Sequence, residues 1–125
     1  MDASLVMTMG FVVFVALFIV ASKRSVAGRL STALQPFVGK TVDVRLWGQP
    51  IGAYRVSGIR GIGAGLHFFL EPVSGGPSAA LKIAQPGTAR HDEREVVIAD
   101  ARYVQLSRRR VPRVEGHPAL EIRVS

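Results

Sequence analysis

From Gly39 onward, apolar and polar side chains alternate, and the alternation cuts the chain into short extended pieces. In "TVDVRLW", Val42, Val44 and Leu46 fall on one side, Asp43 and Arg45 on the other. That period of two marks a half-buried strand. "GQP" then reads as a turn and "IGAYRVSGIRGI" as a long second strand, with Gly58 and Gly61 marking a bulge or sharp bend. "GAG" reads as a hairpin turn, "LHFFLEP" as a third strand, "VSGGPS" as a loop and "AALKIAQ" as a short strand. "PGTARHDERE" is a polar excursion; "EVVIA", the tight turn "DAR" and the short strand "YVQLS" follow it. Five or six strands with glycine turns and no long helix imply a small all-β barrel, closed or nearly so. Beyond a proline-punctuated linker, "ALEIRVS" alternates again, as a strand that pairs with an exposed sheet edge of this molecule or another.

Upstream the pattern is different. From Ala3 to Ser22 no side chain is charged and almost all are apolar. Twenty helical residues extend roughly 30 Å, the depth of a bilayer's hydrocarbon core. No basic residue precedes the run and "ASKRS" follows it, which favours a retained transmembrane helix over a cleaved signal. Every lysine and arginine lies after the run, with Lys23, Arg24 and Arg29 at its exit, so the positive-inside rule puts the N-terminus outside and the rest in the cytoplasm. Gly10 and Ala16 offer close-approach points for packing against other membrane helices. Val26, Leu30, Leu34 and Phe37 share a face of a short helix that caps the barrel or lies on the membrane, and Pro36 ends it. Four segments result: a transmembrane helix (1–24), a juxtamembrane amphipathic helix (25–38), the barrel (39–110), and a basic linker with its terminal strand (111–125).

The chain carries 16 Lys+Arg against 9 Asp+Glu, a net charge of +7, and no cysteine. Disulfides, thiolate nucleophiles and cysteine-held zinc are thereby excluded. About a hundred residues beyond the apolar run suffice for one small domain.

The strand order between Leu34 and Arg110 resembles the Sm-like small barrel. The matching text is "VGKTVDVRLWG" (38–48), "LHFFLEP" (66–72) and "VVIADARYVQL" (96–106). The resemblance implies a short helix leading into a bent, barrel-forming sheet. The Asp and Asn that such barrels present to a base are replaced here by "RGIGAGLHF", so the family's RNA-binding residues do not carry over.

Candidate chemistry is sparse. "GIRGIGAG" lacks the helix start and Lys-Ser/Thr of a phosphate loop and reads as a hairpin. "HDERE" (91–95) gathers an imidazole and three carboxylates side by side, as a solvated loop does. No base–nucleophile pair can be picked out, so neither catalysis nor a cofactor is expected. Arg108, Arg109, Arg110 and Arg113 form the strongest charged feature. With Lys23, Arg24 and Arg29 they are the expected contacts to partner subunits or anionic lipid headgroups. The expectation is a non-enzymatic accessory subunit of a bacterial inner-membrane complex, respiratory or photosynthetic. The alternative is a membrane-tethered barrel that binds nucleic acid.

Overall fold

The computed structural model describes residues 26–125. Residues 26–33 are helical and a 3₁₀ turn follows at Gln35–Phe37, with Pro36 where its missing N–H costs nothing. Nine strands follow: β1 (Thr41–Leu46), β2 (Gln49–Ile62), β3 (Gly65–Pro72), β4 (Ala79–Ala84), β5 (Ala89–His91), β6 (Glu95–Ile98), β7 (Tyr103–Leu106), β8 (Arg109–Val111) and β9 (Leu120–Val124). All belong to one open antiparallel sheet in the order β5-β6-β9-β1-β2-β3-β4-β7-β8.

This corrects the expected five- or six-stranded Sm-like barrel. The terminal strand β9 is not an appendage on an edge; it lies inside the sheet, between β1 and β6. The expected polar excursion contributes β5, and the arginine run contributes β8. The stretch expected to form a transmembrane helix, with Gly10, Ala16, Lys23 and Arg24, falls outside the described residues. Among those described, no helix is long and apolar enough to cross a membrane, so the membrane-spanning part of the expected architecture gains no support from the fold.

β6 and β7 stand second from opposite ends of the sheet, yet only residues 99–102 join them. The five Cα steps from Ile98 to Tyr103 reach at most about 18 Å, so the sheet must curl back on itself. One core therefore fills its concave side. Val42, Val44 and Leu46 from β1, Leu66, Phe68 and Leu70 from β3, and Leu120 and Ile122 from β9 are all buried there. The alternation read from the sequence is the burial pattern of β1, and the Gly58 bulge appears as a register shift between Val56 and Gly58. The first turn moves by one residue. Trp47 and Gly48, both with positive φ (50° and 82°), form the two-residue link, and Gln49 and Pro50 already belong to β2.

The helix caps the core, as one of the two sequence readings had it. Leu34 and Phe37 are buried and Leu30 packs against them, but Val26 stays exposed and Ala27 takes the inward position. Gln35 Nε2 donates to the carbonyls of Ser31 (2.9 Å) and Ile59 (2.8 Å), tying the cap to β2. Gly61 lets the helix come this close, because a Cβ there would lie 2.9 Å from the Ala27 carbonyl oxygen and 3.1 Å from Gly28 Cα. Backbone on both sides cannot yield cheaply. We expect Gly61→Ala to cost about 1–3 kcal/mol as an overpacked contact. Gly28→Ala, with nothing within 4 Å of its Cβ, gains about 0.5–1 kcal/mol from helix propensity. Urea midpoints of the two variants check this.

Candidate docking face

Antiparallel register decides which side chains sit side by side. Across five strands it aligns Arg60 (β2), His67 (β3), Lys82 (β4), Gln105 (β7) and Arg110 (β8) in one row. Their neighbours Ile59, Phe68, Leu66, Leu81, Ile83 and Val104 are buried, so the row lies on the outer, convex side. At about 4.8 Å per strand it is roughly 19 Å long. It contains three permanent cations and no carboxylate. The next acid on that face, Glu71, lies beyond the exposed Phe69 and faces Arg55 at 3.9 Å.

The other half of the outer face is built differently. There Asp43 of β1, Arg123 of β9 and Glu95 of β6 share a row, and Arg45 lies opposite Glu121. Arg123 reaches Glu95 at 3.9 Å. These charges line a shallow hollow of about 440 Å³ and alternate in sign. One half of the outer face thus compensates its own charge and the other does not.

Two of the row's three cations lie against one aromatic ring. The Arg110 guanidinium lies 4.2 Å from the centroid of the Tyr103 ring, and Lys82 Nζ lies 5.3 Å from it. Lys82, as hydrogen-bond partner and then as a charge, lowers the Tyr103 pKa, and Arg110 and Arg102 add to the effect. His67 is pushed down from its ordinary value, first by partial burial and then by the Lys82 charge. At neutral pH it is the uncharged link of the row.

The His67 shift has a stability consequence. Its folded pKa lies below the unfolded one, so the unfolded chain takes up the proton first as pH falls. Stability is full above the unfolded pKa, about 6.5, and declines as pH drops from there through the folded value. We expect urea midpoints at pH 7.5 and 5 to lie closer together in His67→Gln than in the parent chain.

The arginine cluster read from the sequence divides in space. Arg108 occupies the β7–β8 turn with Ser107, both at positive φ (71° and 48°), and Arg109 follows at the hairpin tip. Arg110 joins the row. Arg113 leaves the cluster: its Nη2 donates to the Ala101 carbonyl (2.6 Å) and to Asp100 Oδ1 (3.1 Å), and its guanidinium covers the ring of Trp47 at 4.9 Å. It fastens the linker to the β1–β2 turn. Arg29 is exposed on the helix. Sequence reasoning missed Arg60, His67 and Lys82, which lie on three separate strands. Only the strand register brings them together.

In the His91–Glu95 segment His91 ends β5, Glu95 begins β6, and the three residues between them form the turn. Asp92 Oδ1 accepts from the backbone N–H groups of Arg94 and Glu95, both at 2.8 Å, and these bonds lower its pKa. No group of three His, Cys, Asp or Glu able to hold a metal occurs among the described residues. No protein-family model matches the chain, and no curated protein or solved structure does.

Proposed function

We propose that this chain is a non-enzymatic accessory subunit of a larger bacterial assembly and that its sheet is the docking module. The observation that carries the reading is the uncompensated basic row from Arg60 to Arg110, opposite in character to the self-neutralising half of the same sheet. A row of cations carried on paired strands is complementary to an acidic surface. The place of work we propose is the cytoplasmic side of the bacterial inner membrane, beside energy-transducing proteins. That rests on the charge asymmetry of the chain alone, in which all the basic residues follow the uncharged stretch 3–22. The test is purification of the full chain in mild detergent. A fixed set of larger proteins in constant ratio is the expected result; elution of the chain alone contradicts the reading.

A further inference from the structure

The tip of the β2–β3 hairpin is apolar, and the docking role leaves it unexplained. Gly61 brings this tip against the start of the helix, where a Cβ would meet the Ala27 carbonyl. Val26 and Ala64 line a hollow of about 120 Å³ there, with Gln85 and Pro86 from the β4–β5 connection. The Gln85 N–H donates to the Ala64 carbonyl (3.0 Å), which holds the connection to the tip. Ile62, on the same tip, is 54% exposed, and Val26 is 43% exposed.

The charges around this end have one sign. The helix (26–33), the tip (60–67) and the start of the connection (82–88) contain no Asp or Glu. Arg29 follows Val26 by three residues and shares its side of the helix. Arg60 precedes Ile62 by two residues and shares its face of β2. Arg102 donates its backbone N–H to the Ala84 carbonyl (2.8 Å), next to Gln85. All three arginines are exposed. Asp100, which lies beside Gly87, is held by Arg113 at 3.1 Å.

The chain also enters the domain here. The uncharged stretch 3–22 ends four Cα steps before Val26, at most about 14 Å away. Lys23 and Arg24 fall between the two. Apolar side chains bordered by arginines, with no free carboxylate, match the boundary between acyl chains and anionic headgroups. Resting on the membrane-side location above, we propose that this end of the domain seats on an anionic lipid surface. Val26 and Ile62 enter the acyl boundary, and Arg29, Arg60 and Arg102 meet headgroup phosphates. Val73 supplies the contrast. It is 58% exposed but follows the other end of β3, roughly 24 Å along the strand, near the Arg55–Glu71 pair.

The chain has no cysteine, so Ile62→Cys and Val73→Cys each take a single fluorophore. Both positions are exposed, and neither change touches the core. The full-length variants are placed in phosphatidylglycerol nanodiscs whose acyl chains carry a spin-label quencher near the headgroup. We expect the label at 62 to be quenched at least threefold more than the label at 73. In phosphatidylcholine discs the quenching at 62 should fall at least twofold. Equal quenching at the two positions overturns the proposal, as does quenching at 62 that ignores lipid charge. Shielding of 62 that needs co-purified proteins, and is missing in lipid alone, gives the patch to a protein partner and overturns it too. If the chain elutes alone from detergent while 62 is quenched, the lipid seat stands and the subunit role fails. If the chain co-purifies in constant ratio and 62 stays as wet as 73, the subunit role stands and the lipid seat fails.

Discussion

A chain that ends at Pro118 will not fold. The missing Ala119–Ser125 includes β9, which pairs with β1 from Val42 to Leu46 and with β6 from Glu95 to Ile98. Without it, β5 and β6 lose their only attachment to the rest of the sheet. Leu120 and Ile122 are fully buried, and each contributes about 1.5–3 kcal/mol by burial. The apolar side of β1 is uncovered as well. Small domains are stable by about 5–15 kcal/mol, and losing an interior strand removes most of that. Circular dichroism and amide dispersion of the truncated chain check this. A cooperative melt near that of the parent would make the terminal strand an accessory, contrary to its place in the sheet.

The second large effect comes from a pair of adjacent phenylalanines. Phe68 is the largest fully buried side chain among the described residues, lying between Ile59 and Leu81 in register, whereas Phe69 points outward and is 37% exposed. Phe68→Ala leaves a cavity in a single small core and should cost about 3–5 kcal/mol. Phe69→Ala should stay within about 0.5 kcal/mol, as surface changes usually do. Urea unfolding of the two variants measures the difference. The pair also fixes which face of β3 is outer, since His67 shares its face with Phe69. Equal losses at both positions would move the basic row off the surface.

The sheet's interior strands were legible where one face is buried. β1 and β3 carry strong apolar positions in period, β6 is a short unbroken apolar run, and the Gly58 bulge announced itself as a glycine within an alternating run. β5 and β8 were not legible. Each has three residues, and "ARH" and "RRV" show no buried position in a run of arginine and histidine. The turn that forms β8 uses Ser107 and Arg108 at positive φ, with no glycine to signal it. The barrel expectation failed because alternation says which strands exist, not which strands pair. Nothing local in "ALEIRVS" says that it inserts between β1 and β6. The same limit hid the docking row: Arg108 to Arg110 stand together in the sequence, but Arg60, His67 and Lys82 meet only through register. Arg113 was grouped with the cluster by proximity, and its bonds to Asp100 and Ala101 place it elsewhere.

The central claim is that the half-sheet from β2 to β8 is the face that meets the partner. It is tested most directly by a photo-crosslinking residue at Gln105, a neutral position within the row, compared with one at Asp43 on the self-neutralising half. In intact cells Gln105 should give one discrete adduct, and mass spectrometry should place it in an acidic segment of a protein that co-purifies with the chain, while Asp43 gives none. Adducts from Asp43 with none from Gln105 would put the partner on the opposite half and contradict the docking face.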